Sequence, residues 1–220
     1  MDERPEPPAE RCCFDDWVDG WSKTARKKGV ARGITRTVLA GLEEAGLRRR
    51  TVLDVGCGIG DLSIEAVGRG AASARGYDLS EKAIDEARRL ATERGVDDRT
   101  AFEVGDGAKI DLPPADVVVL NRVFCCYPDA SGLLERSLEA AGSVYAFTIP
   151  RSSGVVGVWE RMRNTVWNAW YRLRKNTFCG FQTYIHDVDR IDEQVRTAGF
   201  TLVRSSHPRV VWHLAVYARP

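Results

Sequence analysis

The sequence lacks an excess of charge of either sign, since 32 basic residues face 31 acidic ones across its 220 positions. No overall field therefore draws the chain to nucleic acid or to an anionic membrane, and any basic patch must be local. The first ten residues hold acids and prolines but no apolar core, which disfavours a signal peptide or a transmembrane segment there. We expect residues 1–10 to be a disordered tail and the protein to be cytoplasmic.

The six cysteines lack the spacing of a metal site. Cys12-Cys13 and Cys125-Cys126 are adjacent pairs, whereas a C-x-x-C spacing lets two thiolates converge on one metal. Without an export signal, reduced thiols are expected rather than a disulfide framework. We expect no bound metal.

Short β-rich runs alternate with helical apolar spacing along most of the chain. Seven runs predict strands, at residues 51–55, 72–77, 100–104, 116–120, 143–149, 200–205 and 210–217. Helices are predicted between Gly33 and Gly46 and over residues 61–67, 81–94, 130–141, 155–181 and 187–198. The alternation predicts a mostly parallel sheet, and the last two strands are close enough to pair antiparallel. The expected fold is a doubly wound α/β domain over residues 33–220, with a seven-stranded, mostly parallel sheet and an antiparallel C-terminal edge.

A glycine-rich loop follows the first predicted strand. It reads Asp54-Val-Gly56-Cys-Gly58-Ile-Gly60 and leads into a helix, where backbone amides can approach a ligand closely. A tight turn without a ligand is the alternative. A dinucleotide site needs G-x-G-x-x-G, but here Asp61 stands at the third glycine, where its acid would repel a pyrophosphate. The spacing favours a cofactor with adenosine and no phosphate.

Two aspartates follow the next two predicted strands. Asp78 lies about twenty residues beyond the loop, where a carboxylate can accept both hydroxyls of a ribose. Asp106, between two glycines, could accept a hydrogen bond from the amine of adenine. Helix capping by Asp78 and a simple turn at Asp106 are the alternatives. Because carboxyl ends of neighbouring parallel strands meet at one edge, the three features together indicate a nucleoside site.

These motifs resemble those of class I S-adenosylmethionine-dependent methyltransferases, across roughly residues 33–150. The resemblance implies a Rossmann-like methyltransferase fold, S-adenosylmethionine as cofactor and S-adenosylhomocysteine as product. It also implies that Gly56 and Gly58 lie against the methionine part, that Asp78 takes the ribose hydroxyls and that Asp106 binds adenine. Asn121 would lie beside the cofactor's amino group and the acceptor. The cofactor residues expected on this basis are Asp54, Gly56, Cys57, Gly58, Gly60, Asp78, Leu79, Asp106, Gly107, Ala108 and Asn121.

A further stretch is similar to the magnesium-protoporphyrin O-methyltransferase group. It comprises RVFCCYPD at residues 122–129, Tyr184-Ile185-His186, and the antiparallel ending at residues 212–217. The chain before Gly33 and the helix from Val155 onward do not match that group. The resemblance therefore leaves the methyl acceptor undecided.

The predicted helical insert at residues 151–186 is rich in aromatic residues and edged by arginines. A stripe at three- and four-residue steps predicts a face packed on the core, comprising Val155, Trp159, Met162, Val166, Trp170 and Leu173. Trp167 and Tyr171 lie off this stripe and could cover a flat apolar acceptor bearing carboxylates. The expected acceptor contacts are Arg122, Trp167, Tyr171 and Tyr184.

Few side chains offer a general base. His186 is the histidine expected to face the acceptor, with Tyr127 as a hydrogen-bond donor; a helix-entry role for His186 and packing for Tyr127 are the alternatives. His207 and His213 are expected to be structural. A carboxylate acceptor would need no base at all, whereas a hydroxyl or an amine would.

The predicted activity is methyl transfer to a small ring-containing molecule, with O-methylation favoured. Residues 11–32 are expected to form a helical lid over the cofactor, with packing on the sheet edge as the alternative. Two other functions stay open. Basic runs such as Arg26 to Lys28 could bind RNA, although the near-zero net charge disfavours nucleic acid. A non-catalytic cofactor-binding protein could also keep this fold.

Overall fold

The computed structural model describes residues 14–29, 32–128, 130–173 and 182–219. The predicted tail at residues 1–10, the pair Cys12-Cys13 and the end of the predicted insert helix at residues 174–181 lie outside this range. Helix α1 spans Asp15–Lys28 and α2 spans Ile34–Glu44.

Seven strands form one sheet in the order β3-β2-β1-β4-β5-β7-β6. The strands are β1 (Thr51–Val55), β2 (Ser73–Asp78), β3 (Thr100–Val104), β4 (Ala115–Asn121), β5 (Ala141–Pro150), β6 (Thr201–Ser206) and β7 (Trp212–Ala218). Neighbours among β1 to β5 pair in parallel, whereas β7 pairs antiparallel with both β5 and β6. The predicted fold class is confirmed, including the antiparallel C-terminal edge.

Helices cover both faces of the sheet and bury its apolar side chains. The remaining helices are α3 (Asp61–Gly68), α4 (Glu81–Glu93), α5 (Ala130–Glu139), α6 (Gly154–Leu173) and α7 (Val188–Thr197). One core joins α1, α2, α3 and α4 to the sheet, and a second core joins α5 and α7 to the opposite face. Val117 to Leu120 on β4 are fully buried, as a central strand covered on both sides requires.

Helix α1 packs against α4 through polar contacts. Arg26 forms ion pairs with Glu86 and Glu93 at 2.6 Å and 2.8 Å. The Ser22 hydroxyl donates to the largely buried Glu86 at 2.6 Å, and the Ser80 hydroxyl, at the N-terminus of α4, donates to Asp15 at 2.5 Å. These contacts hold α1 beside the carboxyl ends of the strands.

The predicted core-facing stripe of α6 is wrong, because the helix turns its polar side inward. Gly157 approaches Ser152 so closely that an added Cβ would lie 2.3 Å from the Ser152 carbonyl carbon. Glu160 is almost fully buried, and the Asn164 and Asn168 amides donate to the Thr183 carbonyl at 2.9 Å and 2.8 Å. Five of the predicted stripe residues are exposed and the sixth, Trp170, is half-buried; the exposed ones are Val155, Trp159, Met162, Val166 and Leu173.

Candidate functional site

A cavity of about 700 Å³ opens at the carboxyl ends of β1 to β4. Its walls come from the glycine loop, the ends of β2 and β3, the segment after β4, and residues of α1 and α6. Parallel α/β sheets bind ligands at this edge, because the loops that leave adjacent strands diverge there. The motifs found in the sequence therefore meet in one place.

The glycine loop has a backbone conformation that residues with a side chain rarely adopt. Gly56, Gly58 and Gly60 have φ values of 72°, 55° and 72°, in the left-handed region. An added Cβ at Gly56 would lie 2.5 Å from the Val123 side chain. The amides of Gly56 and Cys57 donate to the Tyr77 carbonyl at 2.8 Å and 2.9 Å, which ties the loop to β2.

Asp78 connects the end of β2 to the glycine loop. One carboxylate oxygen accepts from the Gly58 amide at 2.8 Å, and the other accepts from the Ser80 amide at 3.0 Å. Burial raises the pKa of Asp78, and the hydrogen bonds from these amides lower it by less, so the pKa lies above its ordinary value. A carboxylate has about four acceptor sites, so two remain for further donors. The predicted ribose acceptor thus also shapes the loop.

Asp54 is buried beneath the glycine loop at the end of β1. The Ser63 hydroxyl of α3 donates to it at 2.9 Å. Burial raises the pKa of Asp54 to about 7, with the hydrogen bond from Ser63 opposing the shift. The carboxyl group therefore titrates near neutral pH.

Asp106 follows β3 and is surrounded by donors. The Tyr127 hydroxyl lies 2.6 Å and 2.8 Å from its two oxygens, the Ala108 amide donates at 3.1 Å, and the Lys109 ammonium lies 3.1 Å away. Burial alone would raise the pKa of Asp106, but these donors outweigh it and the pKa is lowered. Tyr127, predicted to contact the acceptor, thus contacts Asp106 and also lines the cavity.

Other predicted cofactor residues also line the cavity, namely Cys57, Leu79, Gly107 and Asn121. Gly60 and Ala108 lie just outside its surface. Gly60 is the N-cap residue of α3, and the Ala108 amide donates to Asp106. The thiols of Cys57, Cys125 and Cys126 are free. Among the described residues, no three histidine, cysteine or acidic side chains form a group that could hold a metal ion.

A hydrogen-bonded network surrounds Asn121 at the end of β4. Its amide donates to the Thr35 hydroxyl at 3.2 Å, and Thr35 donates to Asp61 at 3.2 Å. The Thr148 hydroxyl donates to the Asn121 carbonyl oxygen at 2.9 Å and accepts from the Arg122 amide at 2.8 Å. Sequence reasoning missed Thr35 and Thr148, since no local pattern distinguishes them.

Three arginines, Arg32, Arg122 and Arg209, also line the cavity. Arg122 and Arg209 have φ values of 65° and 54°, which non-glycine residues rarely adopt outside functional sites and tight turns. The Arg32 Nε atom is buried and has no hydrogen-bond partner among the described residues. Burial raises the pKa of Asp61 while Arg122 and Arg32 oppose that shift, so these arginines lie near this carboxyl group. Sequence reasoning found only Arg122 among the three.

His186 lies outside the cavity, in contrast to its predicted role. Its Nε2 atom lies 2.9 Å from the carbonyl oxygens of both Phe124 and Tyr127. These two carbonyls belong to the short turn after β4, so the imidazole joins that turn to the start of α7. Trp167 and Tyr184, predicted to contact the acceptor, also lie outside the cavity, whereas Tyr171 lines it.

A family model described as a methyltransferase domain matches residues 48–154. The ribosomal protein L11 methyltransferase of Pasteurella multocida is 41% identical over 87 residues, 40% of this chain and 29% of that protein. The enzyme of the same name from Aliivibrio salmonicida is 30% identical over 142 residues, 64% of this chain and 46% of that protein. The chain thus spans less than half the length of these relatives.

Solved structures with similar folds include two methyltransferases. The magnesium protoporphyrin IX methyltransferase of Synechocystis, solved with bound SAH, gives a TM-score of 0.67 at 21% identity, covering 98% of this chain and 90% of that one. An O-methyltransferase family 2 protein of Planctomyces limnophilus, in complex with apigenin, gives a TM-score of 0.66 at 17% identity. The match covers 93% of this chain and 62% of that one. The predicted resemblance to class I methyltransferases is confirmed, and the fold is theirs.

Proposed function

We propose that this protein transfers the methyl group of S-adenosylmethionine to an oxygen atom of a small, ring-containing acceptor. One observation carries the proposal: the glycine loop, Asp78 and Asp106 line a single cavity, and Asp61 and three arginines line it as well. The glycine loop and the two aspartates suit an adenosine, and the arginines suit an acceptor. The matched methyltransferase domain, residues 48–154, includes the glycine loop, Asp78 and Asp106.

The cofactor's chemistry and the residues present are compatible. The Asp78 carboxylate has acceptor sites left for ribose hydroxyls, and Asp106 is an ionised acceptor for the adenine amine. Asp54 and Asn121 line the wall next to the glycines, where an ammonium group could be held. Bound S-adenosylmethionine would supply an activated methyl group on sulfonium. The protein aligns the acceptor with it and keeps water out of the site.

The three arginines that line the cavity favour an acceptor with an anionic oxygen. Arg32, Arg122 and Arg209 offer planar guanidinium groups that bind carboxylates in bidentate fashion. Trp212 and Tyr171 line the same cavity and provide flat apolar surface for a ring. An acceptor with a carboxylate oxygen needs no base, because its nucleophile carries no proton.

A hydroxyl acceptor would instead need a base, and Asp61 is placed for that role. It lines the cavity, burial raises its pKa above the ordinary value, and Thr35 orients it by a hydrogen bond. A raised pKa makes a carboxylate a better proton acceptor near neutral pH. His186 is no longer proposed as the base, since its Nε2 atom faces two backbone carbonyls.

A protein acceptor is the second candidate, because the relatives from Pasteurella and Aliivibrio are named ribosomal protein L11 methyltransferases. Labelled cofactor offered to pools of small carboxylic acids, phenols, ribosomal protein and RNA separates these candidates by mass spectrometry. We expect label on a small molecule. Label only on protein, or only on RNA with a steep loss at high salt, would contradict the acceptor class and leave the cofactor site intact.

The cofactor site is tested by Asp78→Ala, with S-adenosylhomocysteine titrated in a calorimeter. Loss of two hydrogen bonds to a charged acceptor should raise Kd by at least about tenfold. Asp85→Ala is the matched control, because Asp85 lies exposed on α4, where it pairs with Arg88. It should bind as the wild type does. Unchanged affinity in a folded Asp78→Ala protein would remove Asp78 from the site.

A further inference from the structure

One helix of the molecule presents its apolar side to solvent. The outer face of α6 consists of Val155, Trp159, Met162, Val166 and Leu173, which are 60% to 89% exposed. A 20-residue helix is about 30 Å long, so this face is a continuous stripe along one side of the protein. Exposed apolar patches of this kind mark sites that meet a partner or a membrane.

The orientation of α6 is enforced by its inner side. Gly157 fits against the Ser152 backbone, where any larger residue would collide. Asn164 and Asn168 are held by Thr183, and Glu160 is buried beside Arg163. Rotating the helix to bury the outer face would break these contacts and expose Glu160 in their place.

The charges of α6 are positive wherever they reach solvent. Its only acid is the buried Glu160, whereas Arg161, Arg163 and Arg172 are exposed. At about 100° per residue, Arg161 and Arg172 lie between the outer face and the inner side of the helix, and Arg163 borders the outer face on the opposite side. Arginine side chains in this position can reach outward while the apolar residues between them are buried.

We propose that the outer face of α6 docks the protein on the surface of a lipid bilayer that contains anionic headgroups. Trp159, Met162 and their neighbours would enter the boundary between headgroups and acyl chains, and the flanking arginines would bind lipid phosphates. The helix lies in the plane of the surface. Within the described residues, no helix has both the length and the apolar character needed to cross a membrane.

Charge complementarity favours a bilayer over a second copy of the chain. A symmetric dimer presents the same patch on both partners. Antiparallel contact of two α6 helices about their midpoint would place Arg161 and Arg163 against the same residues of the copy. An anionic surface instead neutralises Arg161 and Arg172, and Arg163 already pairs with Glu160.

The location of α6 links this surface to the cavity. Tyr171, on the inner side of the helix, lines the cavity. On the proposed function, an apolar acceptor dissolved in the bilayer would therefore have a short path to the site. Docking itself requires neither cofactor nor acceptor, so it is tested without them.

The experiment measures co-sedimentation of the full chain with vesicles of phosphatidylcholine, alone or with about 30% phosphatidylglycerol. We expect at least about tenfold tighter binding to the anionic vesicles, weakening as salt is added. The variant Trp159→Ser/Met162→Ser/Val166→Ser should lose at least about tenfold in binding. Arg161→Gln/Arg172→Gln should lose a similar factor on anionic vesicles only.

Matched controls make the same kinds of change elsewhere. Val104→Ser/Val203→Ser alters two exposed valines in β3 and β6, and Arg89→Gln/Arg94→Gln alters exposed arginines at α4. Both should bind vesicles as the wild type does, and the serine variant of α6 should keep the wild-type melting temperature. Three results would overturn the proposal: no vesicle binding by the wild type, a dimer in light scattering that the serine variant dissociates, or a melting temperature lowered by several degrees in that variant.

Discussion

The residues that line the cavity on the cofactor side are held by local contacts, whereas those proposed to meet the acceptor are held by contacts between distant segments. At the cofactor end, each polar group lies within a strand–loop–helix unit or joins two neighbouring units, as Asp78 joins β2 to the glycine loop across 20 residues. At the proposed acceptor site, the groups come from distant parts of the chain. Asn121 contacts Thr35 across 86 residues, and Arg209 lies close to Gly33, where an added Cβ would be 3.3 Å from its guanidinium.

The difference separates what the fold supplies from what this protein adds to it. The cofactor end depends on local geometry that any strand–loop–helix unit of this class can form. The proposed acceptor site depends on the packing of α1, α6 and the segment before β7, which can vary without disturbing the sheet. Three changes probe this contrast, beginning with the largest expected effect.

Asp54→Asn should increase the free energy of unfolding at pH 8 by up to about 4 kcal/mol, because one unit of pKa is worth about 1.4 kcal/mol. Burial raises the pKa of Asp54 from 3.8 to about 7 in the folded protein. The folded state therefore binds an extra proton between these values, and wild-type stability falls as the pH rises through that window. Asparagine cannot ionise, so the advantage of the variant should vanish near pH 4.

Urea unfolding of the cofactor-free protein from pH 4 to pH 8 measures this effect. Asp116→Asn is the control with the opposite sign, since hydrogen bonds from Thr51 lower the pKa of Asp116. That variant should lose stability above its unfolded pKa. Parallel stability curves for the wild type and Asp54→Asn would contradict a buried, titrating Asp54.

Tyr127→Phe should destabilise the protein by about 2 kcal/mol at pH 7, the value of a hydrogen bond to a charged group. The Tyr127 hydroxyl is the closest donor to Asp106 and helps to keep the pKa of that carboxyl low. The stability it contributes is present above the unfolded pKa and is lost as the pH falls through the folded pKa. The difference in stability between the two proteins should therefore narrow in acid. A difference that is constant with pH would contradict a hydrogen bond from Tyr127 to the ionised Asp106.

His186→Ala should cost about 1 kcal/mol of stability, the net value of a hydrogen bond to a backbone carbonyl. Turnover and S-adenosylhomocysteine affinity should change by less than about threefold, because the imidazole supports the turn after β4 and does not face the cavity. Asp61→Asn is the companion variant. If a hydroxyl acceptor is found, a fall of about a hundredfold should appear there and not at His186; the reverse would restore the histidine as base.

Sequence reasoning predicted the fold well because strand and helix periodicity reports local burial. The main errors at element ends are small: β5 begins at Ala141 rather than at residue 143, and α5 ends at Glu139. The apolar period of α6 was identified correctly but assigned to the wrong environment. A repeat of three and four residues marks an amphipathic helix and does not state which side faces the protein.

The sequence by itself determined the order of elements, the glycine loop and the carboxylates at Asp78 and Asp106. Each of these depends on interactions within one or two adjacent units, which leave a signature in spacing and residue type. Only the tertiary structure decided that Arg32, Arg209, Thr35 and Asp61 line the cavity, that His186 supports a turn, and that α6 faces outward with its apolar side. Those arrangements depend on contacts between distant segments. The orientation of α6 depends on Gly157, Asn164 and Asn168, and a local sequence pattern does not show which partners these residues contact.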